Sequence, residues 1–517
     1  MTGFAQGGVG LALVLSFVLL LARRPATAAT ACAAQTGIVA VIAMAQGEVW
    51  LAGWELAEAV ILLWVAKSAA PTSLRFAAHG NPAAIVFAVG LAGLCVSVAG
   101  AGAPLAVVLL GALTLALPRP LLQQTVGVVA MQNGLLLAAL GNGVSGWSLR
   151  LIALPILPVL AITMFWFCAD RERAFRVLST PVLARFEAGL MAIIFLLAIV
   201  LLRWSGVNGP FGPFDLLSAY TILLITAMAV AFTWSERNLP HVPGGRLLVV
   251  CGAGFSLLSR APLGIWLGMA VASAGAVATI LPQRAYAWRS LCMAITGLGL
   301  SLAGTIIGFE NLCGVVCLIV GYGVLAGLTP ELAIASVVIL FRLRHPQAMP
   351  LLMMVGLAAL MLGAASFPGD ASRRVAVTPA VFAQAGVAVF AIGLGTQDAD
   401  FAAVCQLTLL ALIACARALA HPGGADAAVA AAGLTGLPPF GLFPSLALIV
   451  AATAAVRPWL LVPLGLGLGA TAWPVLMTLP VPRGLRPSLA WVPLVLAALA
   501  GFAMPQEVAA LLRLTVQ

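Results

Sequence analysis

Residues 433–445 read G-L-T-G-L-P-P-F-G-L-F-P-S within an otherwise apolar stretch. The adjacent Pro438 and Pro439 stop a helix, because proline has no backbone N–H and pushes the residue before it out of the helical region. In a bilayer, the carbonyl groups freed by such a break must be satisfied by protein or by a water-lined cavity. Interrupted helices of this kind mark ion paths in transporters; the alternative is a short loop between two spans.

The composition of the chain is that of a membrane protein. Of its 517 residues, 63% are hydrophobic and 8% are charged, and the mean hydropathy is +1.15. Soluble domains are only about 45–50% apolar. At roughly 20 apolar residues per span, the apolar runs predict about 15 transmembrane helices. We therefore expect an all-α polytopic membrane protein.

The basic residues predict the orientation of the chain. They recur after alternate spans of the first third, at Arg23, Arg24, Lys67, Arg119 and Arg171. The positive-inside rule places these loops in the cytoplasm and the N-terminus outside. The net charge of +10 suits anionic lipid headgroups, so nucleic acid is not implied as a partner.

The sequence predicts neither a metal site nor a soluble catalytic domain. Nine cysteines fall mainly in apolar runs, Cys313 and Cys317 form the only close pair, and no histidine lies near them in sequence. A metal site needs more ligands in close spacing, so packing is the expected role of the cysteines. The chain also contains no phosphate-binding glycine loop and no nucleophile elbow.

A charged segment at residues 169–174 divides the chain into two predicted modules, residues 1–175 and 178–517. In the second, G-L-P-P-F-G-L-F-P-S resembles a segment of the antiporter-like membrane subunits of respiratory complex I (NADH-quinone oxidoreductase) and of group 4 hydrogenases. The closest resemblance is to the hydrogenase-4 F subunit. It extends over residues 266–270, 321–330, 382–395 and 405–410, and it implies interrupted helices at Pro330 and at Pro438 and Pro439.

The first module resembles the hydrogenase-4 E subunit, a relative of the small complex I subunit with embedded glutamates. The resemblance is carried by Gln124-Thr125-Val126-Gly127 and Met131-Gln132-Asn133-Gly134, where Gln132 occupies the place of a glutamate. Glutamine keeps its hydrogen-bonding capacity but loses the proton.

The second module departs from the family in its charges. It is also shortened between about residues 420 and 433. Gln406 stands where the resemblance implies a histidine. Apolar residues occupy the positions where it implies further embedded charges: Ala270, Leu325, Leu410, Ala414 and Leu446. A proton path through a hydrocarbon core about 30 Å thick needs titratable groups or ordered water. The absence of charged side chains at these positions therefore predicts that no proton path runs through the second module.

Five polar residues remain as candidates for a proton path: Glu55, Glu58, Gln132, Glu310 and Glu331. Glu55 and Glu58 share one helical face, and a charge within a span is a functional candidate because it is costly to insert. The alternative for this pair is a solvated position near the membrane interface. The alternative for Glu310 and Glu331 is a helix N-terminus, where a carboxylate meets a favourable dipole.

The expected function is a non-catalytic membrane-arm subunit that scaffolds and anchors a hydrogenase-4-like or complex I-like redox complex in a bacterial inner membrane. The resemblance implies no cofactor in this chain; iron–sulfur or nickel–iron centres would belong to partner subunits. Partners would be other membrane-arm subunits, a soluble oxidoreductase arm and lipids. The alternatives are an active proton or sodium translocator, a stand-alone solute carrier, and the membrane partner of an inorganic-carbon uptake complex.

Overall fold

The computed structural model of the chain describes nineteen segments. These are residues 3–22, 25–69, 88–89, 92–93, 102–116, 121–141, 149, 193–196, 199, 216–236, 244–259, 261–280, 284–308, 311–343, 346–365, 373–420, 424–436, 442–477 and 488–502. Three residues singled out in the sequence lie outside these segments: Glu310, Pro438 and Pro439. The four histidines and the charged segment 169–174 also lie outside them.

Every regular element in the described part of the chain is helical, which confirms the predicted all-α class. The α-helices are α1 (Gly3–Leu21), α2 (Pro25–Ala45), α3 (Val49–Ala69), α4 (Gly102–Ala116), α5 (Leu121–Gly141), α6 (Leu216–Glu236), α7 (Gly245–Leu258), α8 (Pro262–Ile280), α9 (Arg284–Ile307), α10 (Leu312–Ala326), α11 (Pro330–Arg342), α12 (Met349–Ala365), α13 (Arg373–Leu394), α14 (Gln397–Leu419), α15 (Ala425–Leu434), α16 (Phe443–Val456), α17 (Leu461–Met477) and α18 (Trp491–Phe502). Short 3-10 turns at Pro346–Ala348 and Pro458–Leu460 precede α12 and α17.

The helices are those of a multi-pass membrane protein. Among the described residues, six segments are long and apolar enough to cross a bilayer: Ala26–Ala45, Leu216–Ser235, Pro262–Ile280, Arg289–Ile307, Val377–Leu394 and Gln397–Leu419. Several shorter apolar helices accompany them. Helices suit this environment because each satisfies its own backbone hydrogen bonds where water is absent.

The chain forms two compact units. The first comprises Met1–Ala174 and Ile295–Gly321, and the second comprises Phe175–Ala294 and Tyr322–Gln517. In the first unit, α2 packs against α1, α3 and α5. In the second, α14 is central, since it packs against α6, α13, α15, α16 and α18.

Glycine allows helices to approach closely within the second unit. Gly252 on α7 faces Gly268 and Ala272 on α8, and a Cβ at Gly252 would overlap the backbone nitrogen of Ala272 and lie 2.6 Å from Gly268 O. Small residues at such contacts let two backbones pack directly, which is how helices associate in an apolar solvent. Gly254 lies on the same helix but has nothing within 4 Å of the corresponding position.

Replacement of Gly252 by alanine should therefore separate α7 from α8. We expect the Gly252→Ala variant to lose about 1–3 kcal/mol of stability, the usual cost of overpacking. Thermal unfolding of the purified chain in detergent would measure the loss. Gly254→Ala is the matched control, and an equal loss of stability in both variants would contradict the proposed close contact.

Candidate functional site

The first helix break lies between α10 and α11. Helix α10 ends at Ala326, Gly327 and Leu328 form a turn, and Pro330 is at the first position of α11. Thr329 caps α11, since its hydroxyl accepts a hydrogen bond from Leu332 N at 3.4 Å. Proline suits the first helical position because its missing N–H would have no partner there. The break predicted at Pro330 is therefore present and capped by a neutral side chain.

Glu331 follows this break and is held in an ion pair. It lies in the first turn of α11 with 1% of its side chain exposed, and Arg246 of α7 donates to Glu331 Oε1. The Arg246 guanidinium also lies 4.8 Å from the centre of the Phe232 ring. Glu331 thus occupies a helix N-terminus, as the alternative interpretation of the sequence has it, and a fixed positive charge faces it.

Because Glu331 is buried, the stability of the protein should depend on its partner Arg246. We expect Arg246→Met to cost about 3–5 kcal/mol, because it leaves a buried carboxylate without its counter-charge. The double variant Arg246→Met with Glu331→Gln should recover much of this loss. Denaturation of the three proteins in detergent would test the pair, and a double variant no more stable than Arg246→Met would contradict its electrostatic origin.

The second helix break separates α15 from α16. Helix α15 ends at Leu434, Thr435 and Gly436 form a turn, and α16 begins at Phe443. Gly436 has a φ of +75°, a left-handed conformation that favours glycine. A Cβ at Gly436 would overlap Leu446 Cδ1. Leu446, where the resemblance implies a charge, therefore packs against the turn of the break.

A chain of neutral side chains joins the helices around this break. Gln384 of α13 donates from Nε2 to Leu434 O at 3.1 Å, and Gln406 of α14 donates from Nε2 to Gln384 Oε1 at 2.9 Å. The Ser445 hydroxyl of α16 donates to Gln406 Oε1 and lies 2.9 Å from Leu442 O. All three side chains are at most 1% exposed. We call Gln384, Gln406 and Ser445 the amide network.

The amide network can hold helices together but cannot carry charge. A neutral amide or hydroxyl can donate and accept hydrogen bonds without becoming a stable ion. One of its bonds satisfies Leu434 O, a carbonyl at the C-terminus of α15 that has no partner within that helix. The network therefore supplies the polar partners that a break inside a membrane requires.

Removal of the central amide should destabilise this region. We expect Gln406→Leu to cost about 1–3 kcal/mol, since Gln384 Oε1 and the Ser445 hydroxyl each lose a buried partner. Gln397, exposed at the start of the same helix, provides the control Gln397→Leu. Detergent-solubilised protein followed by thermal unfolding would compare the two, and equal stability would show that the network contributes little.

Most of the positions where the resemblance implies embedded charges lie in packed surroundings. Leu325, Leu410 and Ala414 are fully buried, Leu446 is 7% exposed, and Ala270 on α8 is half-buried. Buried aliphatic side chains at these positions stabilise the packing through their many van der Waals contacts. The second unit thus fills these places with apolar atoms.

The first unit differs, because it buries two carboxyl groups. Glu55 and Glu58 are 0% and 3% exposed, and they lie on the face of α3 that also carries Leu51 and Leu62, both buried. None of their four carboxyl oxygens has a hydrogen-bond partner among the described residues. The sequence left open a solvated position for this pair, whereas the structure buries both carboxyl groups.

Elsewhere in the first unit, neutral polar groups connect α1, α2 and α5. Gln35 of α2 donates to Ser16 Oγ at 2.8 Å, and Asn133 of α5 donates to Thr36 Oγ1 at 3.0 Å. Gln132 is 5% exposed, and its Nε2 atom has no partner among the described residues. The structure thus brings Glu55 and Glu58 together on one helix, while Gln132 lies on another helix and Glu331 in the second unit.

Three residues that form these contacts were not predicted from the sequence: Arg246, Gln384 and Ser445. Gln384 was recognisable as a lone amide in the apolar run V-F-A-Q-A-G-V, and Ser445 ends the proline-rich stretch. Either could have been found by asking which polar side chains face the break. The partnership of Arg246 with Glu331 could not, since 85 residues separate them.

The comparisons with known proteins find similar chains among the solved structures alone. No protein-family model and no curated protein matches the chain. Among solved structures, a chain from the membrane-bound sulfane sulfur reductase, described as an archaeal respiratory membrane complex, is similar with a TM-score of 0.49. The two are 13% identical over 72% of this chain and 97% of that chain. The function must therefore be inferred from the side chains described above.

Proposed function

We propose that the chain is a membrane-arm subunit of a hydrogenase-4-like or complex I-like redox complex, in which its second unit serves as a neutral scaffold. The observation that carries the proposal is the amide network at the second helix break. Neutral side chains satisfy a backbone carbonyl at this break and join the helices around it. Such an arrangement is expected where the interrupted helix has a structural role.

The acids described in the second unit also support a scaffold. Glu331 is paired with Arg246, and Asp398, Asp400 and Asp426 lie in the first turns of α14 and α15. Carboxylates at helix N-termini are stabilised in their ionised form by the helix dipole. Carboxylates in these positions stabilise the helices that contain them, so these residues are suited to a structural role.

The proposed setting follows from the resemblance stated above. The chain would lie in a bacterial inner membrane with its N-terminus outside, among other membrane-arm subunits and lipids. A soluble oxidoreductase arm would be anchored to this assembly and would contain the iron–sulfur or nickel–iron centres. The chain itself would hold no cofactor and catalyse no reaction.

Copurification from the native membrane tests the assembly. We expect the tagged full-length chain, extracted in mild detergent, to bring down iron–sulfur and hydrogenase-like or quinone-reductase-like subunits in fixed ratio, identified by mass spectrometry. The Gln406→Leu variant should recover less of these partners than Gln397→Leu, because the network positions four helices. Recovery of the chain alone would overturn the assembly.

Active ion translocation is the second candidate, and the buried pair Glu55 and Glu58 is the observation that favours it. Proton flux into vesicles that contain the purified chain separates the two functions. A scaffold predicts flux no greater than that of empty vesicles. Flux that disappears on replacement of the carboxylates by alanine or leucine would establish translocation instead.

A further inference from the structure

Helix α3 presents its polar and apolar faces in the reverse of the order found in soluble proteins. Its outward face carries exposed Trp50, Leu56, Val60 and Trp64, whereas Glu55 and Glu58 lie on the packed face. Along the helix they stand roughly 9 and 14 Å from Val49, at 1.5 Å per residue. The two carboxyl groups are therefore enclosed by protein and lie far from the N-terminal end of the helix.

The neighbour of this face is α2, which packs against α3 more extensively than any other element in the described residues. Cys32 is the one titratable residue of α2, and it is fully buried within electrostatic reach of both carboxyl groups. Its thiol is directed to Val126 O of α5 at 3.7 Å. No lysine, arginine or histidine of α2 is therefore available to neutralise the pair.

Two ionised carboxylates are not compatible with these surroundings. An isolated ionised carboxylate is strongly disfavoured in an apolar interior, and two of them three residues apart on a helix also repel each other. No donor reaches any of the four oxygens among the described residues. None of the described residues therefore neutralises the pair.

The described polar groups of α2 and α5 are largely engaged with one another, and the described residues offer few ligands for a metal ion. Thr36 lies one turn from Cys32, and its hydroxyl is already engaged with Cys32 O and Asn133 Nδ2. Asn133 Oδ1 is buried without a partner. Hard metal ions such as calcium take six or more oxygen ligands, and the described residues contain no group of three or more metal-ligating His, Cys, Asp or Glu side chains.

We propose that Glu55 and Glu58 form a buried proton-binding site in the first unit, with both carboxyl groups protonated at neutral pH. The ligand is the proton itself, taken up on carboxyl oxygens that have no other partner. The site goes beyond the proposed scaffold function, because a scaffold needs no titratable group. It also lies on a different helix from Gln132, where the resemblance places an embedded carboxylate.

Carbodiimides distinguish the protonated from the ionised carboxyl group. A carboxylic acid transfers its proton to one nitrogen of the carbodiimide while its oxygen bonds to the central carbon. The resulting O-acylurea rearranges to a stable N-acylurea with no atom lost. Dicyclohexylcarbodiimide is apolar and enters bilayers, whereas a water-soluble carbodiimide reaches carboxyl groups in contact with water.

The experiment uses the full-length chain in its native membrane vesicles. We expect dicyclohexylcarbodiimide to label Glu55 or Glu58, located by mass spectrometry, with the label falling about tenfold for each pH unit once the group ionises. The double variant Glu55→Gln with Glu58→Gln should lose this label. Glu48, half-buried just before α3, provides the control variant Glu48→Gln, which should keep it.

Infrared spectroscopy decides the outcome where the reagent does not reach the site. The wild-type spectrum minus that of the double variant should contain the carbonyl stretch of a protonated carboxyl group at neutral pH. Absence of this band would overturn the proposal, whether or not label is found. Suppression of labelling by sodium at fixed pH would also overturn it, since the occupant would then be a sodium ion.

The two proposals fail independently. Labelling and the infrared band depend on the first unit alone, so they do not require that redox subunits copurify with the chain. Gel filtration of the double variant in detergent tests whether it remains folded, and glutamine preserves the shape of glutamate. A folded double variant that lacks both label and band supports the site even if the chain is recovered without partners.

Discussion

The second unit depends on the requirement that every polar backbone group inside a membrane find a partner within the protein. Water is absent from the hydrocarbon region, so a helix that stops there leaves carbonyl groups that the chain must satisfy. The bond from Gln384 to Leu434 O meets this need at the end of α15. The adjoining bonds to Gln406 and Ser445 then fix α14 and α16 around the same point. Helix α14 is central to the unit partly because its amide lies in the middle of this network.

The two units handle buried polarity in opposite ways. In the second, the one buried carboxylate beside a break, Glu331, faces Arg246, and the other buried polar groups near the second break are neutral. In the first, Glu55 and Glu58 face neither a cation nor a hydrogen-bond donor in the described residues. A nearby cation compensates the charge of a buried carboxylate, whereas an isolated ionised carboxylate is strongly disfavoured in an apolar interior. In the described residues, Glu55 and Glu58 are thus buried with no partner on either carboxyl oxygen, whereas Glu331 has a partner on one.

Much of the fold could be predicted from the sequence, because composition and apolar run length determine a helical membrane protein almost by themselves. The break at Pro330 was predictable for the same reason, since proline and a capping threonine act locally. The ion pair between Glu331 and Arg246 was not predictable, because the two residues are 85 positions apart in the sequence. The burial of Glu55 and Glu58 was also beyond the sequence. An acidic pair near the start of a span can face headgroups or a neighbouring helix, and only the packing of α3 on α2 decides between them.

The close approach of Gly436 and Leu446 makes a charged side chain at position 446 difficult to accommodate. Leu446 Cδ1 fills the space beside a left-handed glycine, so a longer, charged side chain at position 446 would have to displace the turn that the glycine forms. Its charge would then emerge next to amides that already bond to one another. A single substitution could therefore not place a charge here without disturbing its surroundings; at least the turn and the network would have to change with it. The local geometry thus restricts position 446 to a compact apolar side chain.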